Sequence, residues 1–143
     1  MEITPQGEVI DHDIVESVIN STERMTYNNV NKILAGDKKL QEEYSHVCDL
    51  FFLMKELAEI LQKTREDRGA IDFDTNEAKV LVDEKGKPID VVLRQRGESD
   101  RIIESFMLVA NETVAKHFKW LDLPFIYRVH LFLYLLQRFY LIL

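Results

Sequence analysis

The chain has 143 residues, enough for one domain with a real core, and its 46% hydrophobic and 30% charged content is that of a globular protein. Twenty-five acidic against 18 basic side chains leave a net charge of −7, which argues against a free-standing nucleic-acid binder, because affinity for phosphates comes mainly from Lys and Arg. Cys48 is the only cysteine, which excludes an internal disulfide; with no secretory signal in the first residues, the expectation is a reducing cytoplasm.

Residues 2–20 alternate apolar and polar side chains around Pro5-Gln6-Gly7, with Val9, Ile10, Ile14, Val15, Val18 and Ile19 as apolar positions, and predict a hairpin or a pair of strands. Asn20-Ser21-Thr22 offers cap chemistry for a short helix. Its apolar positions, Tyr27, Val30, Ile33 and Leu34, follow helical spacing up to a stop at Gly36. The strongest helix is predicted over about 39–68, where Leu40, Tyr44, Val47, Phe51, Met54, Ala58 and Leu61 form one stripe ended by Gly69. Cys48 is expected on the apolar face of this helix, as a small buried hydrophobe rather than a nucleophile.

Residues 78–82 and 89–93 flank Asp83-Glu84-Lys85-Gly86 and read as a hairpin. A second long helix is predicted over about 99–118, striped by Ile102, Ile103, Phe106, Val109, Ala110 and Val114, and Pro124 opens a strand-like stretch over 125–129. Strands and helices are grouped rather than alternating, so the fold class is α+β, with two long amphipathic helices and antiparallel hairpins. No Cys/His metal spacing, phosphate-binding glycine loop or internal repeat is present.

Five stretches, in order, resemble the nuclease domain of the ribonuclease II and ribonuclease R family. They are Arg24-Met25-Thr26-Tyr27 followed by Val30-Asn31-Lys32-Ile33-Leu34; Arg68-Gly69-Ala70-Ile71-Asp72-Phe73-Asp74; Asp83-Glu84-Lys85-Gly86-Lys87-Pro88; Glu104-Ser105-Phe106-Met107-Leu108-Val109-Ala110-Asn111-Glu112; and Tyr127-Arg128-Val129-His130. The second is closer to ribonuclease R than to ribonuclease II. The resemblance implies a partial RNB-type nuclease domain over 1–130, belonging to an enzyme that degrades single-stranded RNA processively from its 3′ end to nucleoside monophosphates. It implies Mg²⁺ in the complete enzyme, held by an Asp cluster that has no match here, so this chain alone is expected to bind none and to be inactive. Asp11, Asp13 and Glu16, or Asp72 and Asp74, sit in other family motifs and do not replace that cluster.

Three positions carry over from the resemblance as RNA-binding residues, with no catalytic or metal-ligating residue among them. Tyr27 and Glu104 would hold the terminal ribose, the feature by which proteins distinguish RNA from DNA, and Phe73 would stack on a terminal base. The resemblance therefore implies that the Tyr27 hydroxyl lies within hydrogen-bond or one-water reach of Glu104. Taken singly, Tyr27 and Phe73 also fit core aromatics, and Glu104 a solvated carboxylate. No membrane and no obligate protein partner are implied. The alternative from another class is a catalytically inactive RNA-binding or protein-interaction module, and a third reading is a pseudogene product without function.

The sequence departs from the family pattern in places. Asn20-Ser21-Thr22-Glu23-Arg24 stands where the family has His-Ser-x-Ala-Arg, Ser105 stands for a second Glu, and Leu131-Phe132-Leu133-Tyr134 replaces Glu-x-Pro. Residues 131–143 carry only Gln137 and Arg138 as strongly polar side chains, too short a run for a bilayer span of roughly 20 residues. They read as a non-matching hydrophobic tail of frame-shift type, and Met1 matches an internal family position, so a fragment at both ends is the expectation. Deleting 131–143 is expected to raise the soluble monomer fraction in size-exclusion chromatography, because long exposed apolar runs promote association. A truncated chain that aggregates more would mean that the tail is packed in a core.

Overall fold

The computed structural model describes residues 1–70, 77–94 and 96–127. In chain order they form β1 (Glu2–Ile3), β2 (Val9–Asp11), α1 (Tyr27–Leu34), α2 (Lys38–Glu43), α3 (Ser45–Asp67), β3 (Glu77–Val82), β4 (Pro88–Arg94) and α4 (Glu98–Trp120). The grouping of short antiparallel strands and helices is α+β, as the sequence pattern required.

β1 and β2 pair antiparallel, with Glu2 opposite Asp11 and Ile3 opposite Val9. Gly7 turns the chain between them at φ +82°, and a Cβ there would stand 2.5 Å from Thr64 Oγ1. That close approach seats the turn on α3, where Thr64 Oγ1 lies 3.1 Å from the Gln6 carbonyl oxygen. The strand expectation holds only as far as Asp11. Residues 12–26 have no regular structure, and Ile14, Val15, Val18 and Ile19 are exposed. Their alternation would suit a half-buried strand, but a strand needs a hydrogen-bonding neighbour, and none reaches them among the described residues.

α1 starts later than its polar prelude suggests. Thr26, not Asn20-Ser21-Thr22, is the cap, its hydroxyl accepting the Asn29 N–H at 3.3 Å. The helix stops before Gly36, as read. The long helix read over 39–68 is two helices: Asp37 caps α2 through the Leu40 N–H at 3.2 Å, and Tyr44 leaves helical geometry at φ −105°, ψ 29°. The apolar stripe survives the break. Val30 and Ile33 of α1 meet Cys48 and Phe51 of α3 in a buried cluster, flanked by Leu40, Tyr44, Val47 and Met54. Cys48 is thus buried as expected. Gln41 Nε2 donates to the Ile33 carbonyl at 2.9 Å, satisfying one of the carbonyls that a helix C-terminus leaves open.

β3 and β4 pair antiparallel from Glu77 opposite Arg94 to Val82 opposite Pro88. Asp83 shapes the turn, its Oδ1 accepting the Lys85 and Lys87 N–H groups, each at 2.9 Å. α4 opens at Gly97, whose N–H donates to the Asp100 carboxylate at 3.0 Å, one half of a capping box. Glu98 and Asp100 lie at its positive end and His117 and Lys119 at its negative end. Ser99, Ile102 and Ser105 form its buried face in the first turns, and Arg65 of α3 donates to Ser105 Oγ at 3.3 Å.

The chain divides into two compact units, with the boundary within α4 after Ala110. In the second, Asp122 ends the helix at φ 53° and Phe125 stacks on Phe118, with ring centroids 4.6 Å apart. The strand expected over 125–129 is not formed by Phe125, Ile126 or Tyr127: the chain folds back on its own helix and finds no strand partner among the described residues. Residues 128 and 129, Phe73 and the tail over 131–143 lie outside the described residues.

Ile33 has no exposed surface, so Ile33→Ala leaves a cavity and should lower the unfolding free energy by about 2–5 kcal/mol in urea titration. Val18→Ala, at a fully exposed side chain, should change it by less than about 0.5 kcal/mol. Equal effects from the two would show that the α1–α3 cluster is not the core.

Candidate RNA-contact site

Tyr27 is the first residue of α1, and the Thr26 cap immediately before it fixes where its side chain leaves the helix. It is 44% exposed. Ser99, at the start of α4, donates from Oγ to the Tyr27 carbonyl at 3.1 Å and from its N–H to Asn31 Oδ1 at 2.9 Å. These two bonds tie the N-terminus of α4 to α1 across some seventy residues of sequence.

A polar cleft of about 800 Å³ opens beside this junction, lined by Tyr27, Asn28 and Asn31 of α1, Lys79 and Arg94 of the second hairpin, and Asp100 of α4. Arg94 lies 2.6 Å from Asp100 Oδ1, and Asp100 Oδ2 takes the Gly97 N–H, so both carboxylate oxygens are engaged. An apolar groove of about 590 Å³ shares Tyr27 with this cleft and has Met25, Val30, Phe51, Met54 and Ile103 in its walls. Of the two sequence-predicted residues that the structure describes, Tyr27 lines both.

Glu104 sits one helical turn beyond Asp100, on the same side of α4 by i, i+4 spacing. Its carboxylate is hydrogen-bonded by the Arg96 guanidinium, and its side chain is 46% exposed. No hydrogen bond joins Glu104 to Tyr27 among the described residues, and Glu104 is in the wall of neither cleft. Arg94, Arg96, Asn31 and Ser99 were not singled out by the sequence. Only the Gly97-x-x-Asp100 capping pattern carried a local signal for this junction. Near it, the charge of Glu43 holds the Tyr44 hydroxyl above the usual phenol range, while a hydrogen bond with the Asn29 side chain pulls the other way.

The described residues do not suit a divalent metal. No three His, Cys, Asp or Glu side chains converge among them, and the carboxylates of Asp100 and Glu104 are each taken by a guanidinium. Nor is any helix among the described residues long and apolar enough to cross a membrane.

Comparison with known proteins places this geometry in a family. The RNB domain profile matches residues 1–133. The chain is 55% identical over 130 residues to ribonuclease R 1 of Lactococcus lactis, with 91% of this chain and 16% of that protein covered. It is 47% identical over 131 residues to ribonuclease R of Thermotoga maritima, covering 91% of this chain and 18% of that protein. Mycoplasma genitalium RNase R, solved in complex with ribose methylated single-stranded RNA, superimposes with a TM-score of 0.59 at 31% identity, over 73% of this chain and 16% of that one. The chain spans less than one-fifth of the length of these relatives. A match that runs along nearly the whole sequence, and a shared fold at 31% identity, make this chain a member of the RNB-domain ribonuclease family.

Proposed function

We propose that this chain is part of a 3′→5′ exoribonuclease of the ribonuclease R type and supplies part of the pocket that receives the 3′ end of single-stranded RNA. The observation that carries the reading is the 55% identity to a ribonuclease R along 91% of the chain. The solved relative with ribose methylated single-stranded RNA bound supports single-stranded RNA as the substrate class. Within the pocket, Tyr27 and Glu104 contact the terminal ribose and Phe73 stacks on a base. Tyr27 is half-exposed at the edge of a polar cleft, and a tyrosine hydroxyl can meet a ribose hydroxyl as donor or acceptor. Glu104 is an acceptor whose direction Arg96 holds.

Mg²⁺ belongs to the complete enzyme, where it would activate water and stabilise charge on the phosphate. The residues of this chain bind and orient RNA rather than cleave it. A buried single cysteine is compatible with work in a reducing cytoplasm.

The purified chain is expected to release no nucleoside monophosphate from uniformly labelled single-stranded RNA in Mg²⁺. Processive, chelator-sensitive release, absent from a mock purification, would overturn the inactive reading. For the pocket, Tyr27→Phe removes one hydroxyl without removing the ring. It should reduce the preference for a ribose over a 2′-deoxyribose 3′ end by about 2- to 13-fold, the range of one net hydrogen bond of about 0.5–1.5 kcal/mol. Fluorescence anisotropy on paired oligoadenylates reads this ratio, and an unchanged ratio would remove Tyr27 from ribose recognition.

A further inference from the structure

Ser99 is 3% exposed, so its N–H and hydroxyl are satisfied out of contact with water, where an unmade hydrogen bond is costly. Both partners lie on α1: Asn31 Oδ1 at 2.9 Å and the Tyr27 carbonyl at 3.1 Å. Asn31 stands four residues after Tyr27, one turn along the same helix face, and both line the polar cleft. The chain makes room for this arrangement at one position. A Cβ on Gly97 would come 2.2 Å from Asn31 Nδ2 and 2.7 Å from Oδ1, so the Asn31 amide occupies the space that any other residue at 97 would fill. Gly97 is also where α4 begins, its N–H bound by Asp100.

We infer that Asn31 is a positioning residue: through Ser99 it latches the start of α4 to the first turn of α1, and so fixes the orientation of Tyr27 relative to the carboxylates of α4. The latch needs no ligand to form, and its geometry holds Tyr27 from the backbone side. Its consequence for ribose selectivity rests on the function proposed above; the positioning itself does not.

Three variants of the full chain test it. Asn31→Leu removes the acceptor at similar volume, Asn31→Asp keeps an acceptor in place, and Gly97→Ala displaces Asn31 from the opposite side. The readouts are hydrogen-exchange protection of the Ser99 amide, the Tyr27 χ1 rotamer from three-bond couplings, and the affinity ratio for oligoadenylates ending in ribose or 2′-deoxyribose. Asn31→Leu and Gly97→Ala should each lower Ser99 protection about tenfold or more, average the Tyr27 rotamer, and reduce the ribose preference about threefold or more. Asn31→Asp should keep all three near the parent values. Should Asn31→Leu fail to fold, Ser99→Ala, which removes only the bond to Tyr27, is read for the same rotamer and ratio. A single, unchanged Tyr27 rotamer in the folded variants overturns the positioning role whatever RNA does. A parent chain without ribose preference, in which the rotamer still depends on Asn31, upholds the positioning role and sinks the ribose reading instead.

Discussion

Ile33 is wholly removed from solvent, and among the described residues the cluster around it fully buries Val30, Cys48 and Phe51, with partly buried side chains such as Leu40, Val47 and Met54 packed against them. Full burial of a side chain of this size contributes roughly 1.5–3 kcal/mol, so each contact in so small a cluster matters. Elements beyond it cannot rely on apolar burial alone. The β1–β2 turn reaches α3 through a glycine and a threonine hydroxyl, and α4 reaches α1 through a buried serine. Those polar contacts are short-ranged and directional, and they are made only where the core has already brought their partners together.

That order of dependence ties the core to the cleft. Val30 and Ile33 anchor α1 to α3, and the same eight-residue helix presents Tyr27, Asn28 and Asn31 to the cleft. A helix this short is marginal in isolation, so its packing on α3 is what makes it a fixed platform. The polar face inherits its position from the apolar one. A core change at Ile33 would therefore be felt at Tyr27 without touching the cleft directly.

Helical stripes were legible because their information is local. Three- and four-residue spacing located α1, α3 and α4, and the Asp83–Gly86 turn located the second hairpin. The break at Tyr44 left no mark, because tyrosine is an ordinary helix residue and the stripe continues across it on both sides. The alternation at Ile14 to Ile19 misled for the opposite reason: it describes a strand's faces but says nothing about whether a neighbour exists. Several Ser and Thr residues compete as caps before α1, and only the position of the first helical turn selects Thr26. Tyr27 and Glu104 came from resemblance, not from periodicity. Of their settings, Asn31 with Ser99 depends on tertiary approach across 68 residues, so no short window contains it; Arg96 and Glu104 are close in sequence, but no helical or strand spacing pairs them.

The net charge of −7 looks hostile to RNA, yet it bears on only one part of recognition. Exposed charges further apart than about 8 Å are screened at physiological salt, so the local arrangement outweighs the total. Glu56, Glu59, Glu66 and Asp67 of α3 do not line the polar cleft, and Glu59 and Asp67 pair with Lys55 and Lys63 one turn away. In the cleft, Asp100 is paired with Arg94, and Lys79 is the remaining charged side chain in the described lining, so the wall does not repel phosphate. Reading a ribose hydroxyl needs no net positive charge. It needs a donor and an acceptor at fixed separation, in a place where water competes poorly. An acidic chain can therefore carry ribose discrimination for the enzyme we propose, provided that phosphate affinity comes from basic residues elsewhere in that enzyme. Selectivity for the sugar and attraction to the backbone are physically separable, and the residues we propose for this chain serve the first of them.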